Sequence, residues 1–249
     1  MNYFTLTLIL LSFSNQILSQ SIIPKKVLFV GNSYTYYWNL PQNVHLMAAD
    51  QGINLETFQS TAGGSNWSQH YKGLRGLKTI EKIQNGNFDI VVLQNHSRSS
   101  LDFPDSLMHY GQLLAKEIRQ SGAQPMLYMT WSREWDPFMI ETISEKYKEL
   151  GLKISAPVAP VGLAFEMARK MRPDIDLYAT DGSHQSTIGT YLASCVFYAM
   201  LTGRSPVGIS SRLITEDAVG EKLYINIQSA EDAVFCQKVA EKVANDFMD

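Results

Sequence analysis

The sequence predicts an α/β fold in which a parallel sheet of five strands is covered by helices on both faces. Short apolar, β-branched runs recur at 27–31, 53–59, 88–93, 125–130 and 154–160, and each is followed by a stretch of helical periodicity. Such runs carry few charges, as strands buried on both faces do. The chain of 249 residues, 45% hydrophobic and 18% charged, has the length and balance of a single domain of this kind, residues 21–249.

The first strand, Val27-Leu28-Phe29-Val30-Gly31, breaks at Gly31-Asn32-Ser33 and leaves Ser33 at its carboxyl end. A Tyr-rich stretch follows, and then Asn39-Leu40-Pro41 opens a helix through about Gln51, ended by Gly52. The second strand runs into Ala62-Gly63-Gly64-Ser65, a tight loop. Residues 67–85 are amphipathic, with Leu74, Leu77, Ile80 and Ile83 at helical spacing. The third strand stops at Gln94-Asn95-His96-Ser97. A helix over 104–120 leads to the fourth strand, whose end holds Trp131-Ser132-Arg133-Glu134-Trp135. Helices over 138–150 and 161–171 flank a proline-bracketed fifth strand. The last third is less regular: Asp181-Gly182-Ser183-His184 lies in a polar loop, and helices follow over 187–202 and about 230–248.

The ends and the charge bound the function. Residues 4–13 are apolar with only Thr and Ser interruptions; a run of roughly ten residues is too short for a membrane span and suits the core of a secretory signal peptide. Residues 1–20 are therefore expected to be a cleaved leader, which makes the protein secreted or periplasmic with no stable membrane insertion. The net charge of −3 and the lack of Lys/Arg-rich runs disfavour nucleic acid as a partner. Cys195 and Cys236 are the only thiols, and the sequence leaves their pairing open. There is no His-Glu-x-x-His, Cys-x-x-Cys or phosphate-binding glycine loop, so neither a metal nor another cofactor is expected.

In an open α/β sheet, ligands bind outside the carboxyl ends of the strands. Those ends hold Ser33, Gly64, Gln94 with Asn95, and Trp131, and the late polar loop holds Asp181 with His184. A hydroxyl nucleophile, an imidazole base, a carboxylate that orients it and donors for an oxyanion are the parts of a serine hydrolase. Three residues apart on a turn, Asp181 can fix the His184 tautomer and leave Nε2 free for Ser33. His45, His70 and His109 fall within helices as surface or boundary residues, whereas His96 is placed to line the crevice. No Gly-x-Ser-x-Gly is present, so Ser33 is not the nucleophile elbow of an α/β-hydrolase.

On Gly-Asn-Ser-Tyr-Thr at 31–35, Gly63-Gly64-Ser65, and Asp181-x-x-His184, the chain resembles the SGNH (GDSL-type) hydrolase superfamily from Val27 to about Val207, and within it secreted members with Gly-Asn-Ser in place of Gly-Asp-Ser. The resemblance implies a three-layer, flavodoxin-like α/β/α fold, with Ser33 as nucleophile and Asp181 and His184 as its partners. It also implies an oxyanion hole made by the Ser33 and Gly64 backbone N–H groups and an amide after the third strand. There the chain departs from the usual Gly-x-Asn-Asp and reads Gln94-Asn95-His96, closer to the Gln-containing version of carbohydrate acetylesterase branches. Gln94 and Asn95 both remain candidates, with Gln94 favoured as the first residue beyond the strand. His96, Trp131, Arg133 and Glu134 are expected to contact substrate, an aromatic ring stacking on a sugar face and the charged groups bonding its hydroxyls.

The expected activity is a metal-independent serine esterase acting on acetylated carbohydrates. The alternatives are a non-catalytic carbohydrate-binding protein on the same scaffold and a lipase- or thioesterase-type SGNH hydrolase. The acyl group, the sugar and the oligomeric state lie beyond the sequence.

Overall fold

The computed structural model describes residues 23–248; the expected leader, 1–20, lies outside them. The chain runs β1 (Lys26–Gly31), α1 (Ser33–Tyr36), α2 (Leu40–Asp50), β2 (Glu56–Thr61), α3 (Trp67–Lys72), α4 (Thr79–Asn85), β3 (Ile90–Leu93) and α5 (Ser99–Asp102). It continues through α6 (Pro104–Gln120), β4 (Gln124–Tyr128), α7 (Met139–Lys153), β5 (Val158–Ala159), α8 (Val161–Met171) and α9 (Thr187–Thr202). A hairpin, β6 (Arg212–Glu216) and β7 (Lys222–Ile227), precedes the closing helix α10 (Ala230–Met248).

The first five strands form one parallel sheet in the order β2-β1-β3-β4-β5. Successive strand residues face opposite ways, and the core divides accordingly. Val27, Phe29, Val92, Met126 and Tyr128 pack on one side against α2, α8, α9 and α10. Leu28, Val30, Val91, Leu93 and Leu127 pack on the other against α3, α4, α6 and α7. The expected three-layer α/β/α arrangement is therefore observed. Each fully buried Val, Leu, Ile or Phe contributes about 1.5–3 kcal/mol, so the double-sided burial holds the central strands rigidly. The chain leaves β1 toward β2 and returns to the other side of β1 as β3. That reversal opens a crevice between the carboxyl ends of β1 and β3.

Three elements differ from expectation. The amphipathic stretch 67–85 is not one helix: α3 ends at Gly73, a short turn follows, and α4 starts at Thr79. Its apolar residues do not share a face, since Leu74 is exposed while Leu77 and Ile83 are buried. The β6–β7 hairpin carries no clear sequence signal because most of its apolar side chains, Ile214, Leu223, Tyr224 and Ile227, are exposed, which blurs the alternation of a half-buried strand. Strand β5 shrinks to two residues between Pro157 and Pro160.

Candidate functional site

The turn after β1 is tied down on every side. Gly31 leaves no room for a side chain: a Cβ there would stand 2.3 Å from Gln94 Oε1 and 2.4 Å from Thr35 Oγ1. Asn32 caps α1, its Oδ1 accepting from Tyr34 N at 3.1 Å, and its Nδ2 donates to Ser65 O at 2.9 Å, drawing the loop after β2 toward the nucleophile turn. Its own N–H donates to Gln94 Oε1 at 2.8 Å, which fastens the turn to the end of β3. Ser33, the first residue of α1, is left half-buried at the mouth of the crevice.

The late loop meets it. Ser33 Oγ lies 2.8 Å from His184 Nε2, and His184 Nδ1 lies 2.5 Å from Asp181 Oδ2. A carboxylate only accepts, so Nδ1 carries the proton and Nε2 is free to accept from the serine. The other Asp181 oxygen, Oδ1, accepts from the backbone N–H groups of Ser183 and His184, both at 2.9 Å. Partial burial opposes ionisation of Asp181, but the bonds from the His184 side chain, the His184 N–H and the Ser183 N–H outweigh it and draw the carboxyl down to about 2. The turn needs Gly182: its φ is +59°, and a Cβ would meet the Trp135 ring at 2.7 Å. Aromatic faces brace the imidazole, with Tyr37 stacked at 4.4 Å and Tyr34 edge-on at 5.3 Å between centroids.

The two amides after β3 point to different tasks. Gln94 is fully buried; its Oε1 accepts from Asn32 N and Thr35 Oγ1, and its Nε2 donates to Asn95 O. Its oxygen is thus engaged in holding the Ser33 turn and one Nε2–H in the bond to Asn95 O, against the expectation that favoured Gln94 as the free amide donor. Asn95 Oδ1 accepts from Trp67 N at 3.0 Å and His96 N at 2.9 Å, and its Nδ2 has no partner among the described residues. The N–H groups of Ser33 and Gly64 likewise have none there. These three donors, at the ends of β1, β2 and β3, are thus unengaged among the described residues.

The remaining expected contacts divide. Trp131 is buried, not exposed to a substrate: it stacks between Tyr34 at 4.5 Å and Phe165 at 4.4 Å, and its Nε1 donates to Ser183 O at 3.0 Å. Trp135, by contrast, is 68% accessible beside Gly182. Glu134 is exposed, and its backbone N–H donates to Gly182 O at 2.9 Å. Arg133 is half-buried and donates to Tyr34 Oη, Ser183 Oγ and Ser97 Oγ. His96 is half-buried; burial first, and then the Arg133 charge, push its pKa below the ordinary value.

His70 was expected at a surface or boundary and is fully buried instead. Its Nε2 lies 3.1 Å from Gly31 O and 2.9 Å from Ser65 Oγ, and its Nδ1 lies 2.7 Å from Thr79 Oγ1, which in turn is 2.9 Å from Ser60 Oγ. Burial drives its pKa down to about 4, so a neutral ring sits against the Gly31 carbonyl that precedes the Ser33 turn. Its place on α3 only five residues after the glycine loop is the one sequence signal of that role. Cys195 and Cys236 are buried free thiols. Among the described residues no three His, Cys, Asp or Glu side chains gather to hold a metal ion, and no helix is long and apolar enough to cross a membrane.

No family model and no curated protein matches the chain. Solved structures do. A DUF4886 family protein from Bacteroides uniformis superimposes with a TM-score of 0.72 at 18% identity, over 88% of this chain and 93% of that one. A candidate SGNH hydrolase from Slackia heliotrinireducens gives 0.60 at 24% identity, over 70% and 96%. An acetylxylan esterase from Geobacillus stearothermophilus gives 0.58 at 15% identity, over 76% and 97%. The chain has the fold that these proteins share, the fold of the SGNH hydrolases.

Proposed function

With the SGNH hydrolase fold as premise, we propose that this chain is a serine ester hydrolase that removes acetyl groups from carbohydrates outside the cytoplasm. The observation on which the reading rests is the continuous relay from Asp181 Oδ2 through His184 to Ser33 Oγ, with links of 2.5 and 2.8 Å. Ser33 Oγ attacks the acyl carbon as its proton passes to His184 Nε2. The carbonyl oxygen becomes the oxyanion, held by the Ser33 N–H, the Gly64 N–H and Asn95 Nδ2. Collapse of the tetrahedral adduct breaks the ester C–O bond, and His184 returns its proton to the departing sugar hydroxyl. Water, deprotonated by the same imidazole, then releases acetate and restores Ser33. Asp181 stays ionised throughout and stabilises the imidazolium; with its pKa at about 2 it does not limit activity on the acid side of neutrality.

The acetyl-sugar substrate is supported by the likeness to acetylxylan esterases and by the exposed Trp135 beside the relay, a flat apolar face on which a sugar ring can stack. Export rests on the apolar run at 4–13; Edman sequencing of the mature protein should start near residue 20 or 21. The activity is tested with an activated acetyl ester and acetylated xylan. The Ser33→Ala variant is expected to lose at least about 10⁴-fold in kcat, and a fluorophosphonate should label the wild type at Ser33 alone. Undiminished turnover by the variant rules the assignment out, and an unlabelled wild type that still binds sugars identifies a non-catalytic lectin-like protein.

A further inference from the structure

Arg133 is a cation without a counter-ion at the centre of the crevice. Its guanidinium joins the three segments that build the site, donating from Nη1 to Tyr34 Oη, beside the nucleophile, and to Ser183 Oγ, beside the base, and from Nη2 to Ser97 Oγ after β3, at 2.9 Å. All three partners are neutral hydroxyls. No carboxylate among the described residues comes within 4.0 Å of it, whereas Arg172, also half-buried, is paired with Asp232 at 2.7 Å. A guanidinium has five N–H donors. Three are engaged, and Nε–H and one Nη2–H have no partner among the described residues.

Half-burying a cation without an anion is unfavourable, and the proton transfer from Ser33 to His184 does not relieve it, because the imidazolium and the oxyanion form together and offset each other. The Arg133 field is felt across the pocket, since after burial it is the main cause of the lowered His96 pKa. An anion on the substrate that lies against Arg133 would remove the imbalance. Two parallel N–H groups on a planar fork match the two oxygens of a carboxylate, a geometry that a lone hydroxyl does not use.

We propose that Arg133 is a specificity-determining residue that receives a carboxylate on the sugar, so that the preferred substrate is an acetylated uronic acid or another carboxylate-bearing acetyl sugar rather than a neutral one. This rests on the esterase reading above and narrows its substrate class. Neither the acyl group nor the relay is altered; the carboxylate binds on the leaving-alcohol side, where it orients the ester and balances the charge at Arg133.

The test compares two probes acetylated at the same hydroxyl, a methyl glucuronoside and the corresponding methyl glucoside, with released acetate measured. The wild type is expected to favour the charged probe by about tenfold to a hundredfold in kcat/KM, as for one charge-assisted bidentate contact. Added salt should erode that preference. R133Q should bring the ratio close to one, and R133K should restore part of it. Free methyl glucuronoside should inhibit the wild type competitively at concentrations where methyl glucoside does not, a measurement that needs no variant to fold. A wild type that hydrolyses both probes equally, or an R133Q that slows both by the same factor, overturns the assignment and leaves the esterase reading standing. Turnover of neither probe together with an unlabelled Ser33 overturns both.

Discussion

Asn32 and Asp181 each organise one end of the Ser33–His184 hydrogen bond, and they do so by opposite means. Asn32 is buried and bonded to the loop after β2, to the end of β3 and to its own helix. Asp181 is exposed, and all its bonds stay within a four-residue turn. Ser33 is thus set by the interior of the fold, whereas His184 is set by a local turn braced by aromatic rings. Damage to the first should spread to stability, and damage to the second should stay in the chemistry.

The sharpest way to separate them is Asp181→Asn. The amide keeps an oxygen for the Ser183 and His184 N–H groups but favours the wrong imidazole tautomer, so kcat should fall about 10⁴-fold while the melting temperature scarcely moves. A comparable loss of stability would mean that the turn is part of the folding core after all.

The neighbouring amides offer a second separation. Asn95→Asp keeps an oxygen for the Trp67 and His96 N–H groups but removes the Nδ2 donor, and should cost at least ~10²-fold in kcat, about 2.7 kcal/mol of barrier. Gln94→Ala, by contrast, leaves the buried Asn32 N–H unpaired and should cost about 1–3 kcal/mol of unfolding free energy in urea titrations. Equal effects of the two on both measurements would erase the distinction between them.

A third separation lies in the response to acid. His70 is held neutral with a folded pKa of about 4 against an unfolded value of 6.5. Above pH 6.5 neither state gains a proton and the fold is at full strength. Between 6.5 and 4 the unfolded chain takes up a proton that the folded one refuses, so stability should decline by about 3 kcal/mol across that window. Chemical denaturation at pH 7, 5.5 and 4 measures it, and a flat profile would show that His70 is not locked as the neutral ring behind Gly31.

Much of this was readable beforehand because it depends on local pattern. The strand–helix alternation, α6, α8 and α9, and the placement of Ser33, Asp181 and His184 at strand ends or in the late loop all follow from period, punctuation and order along the chain. What resisted depends on packing. Nothing in the composition of Trp131 tells that Tyr34 and Phe165 will sandwich it, so it reads as a substrate ring equally well. Gln94 and Asn95 are neighbours of like chemistry and both buried, and only the pleat at the end of β3 decides that one meets the Ser33 turn and the other the start of α3. His70 looks like any helical histidine until the break after α3 shows it folded back beneath the nucleophile.

The Trp131 stack has a consequence for how the molecule can be altered. One rigid indole touches the nucleophile's helix through Tyr34, the base's loop through Ser183 O and the scaffold through Phe165. Ser33 and His184, 151 residues apart in sequence, are thereby referenced to a single foundation stone. Thermal loosening at that point would shift both together and preserve their mutual distance. A substitution of Trp131 itself should therefore disturb the Tyr34 and Ser183 sides of the site at once.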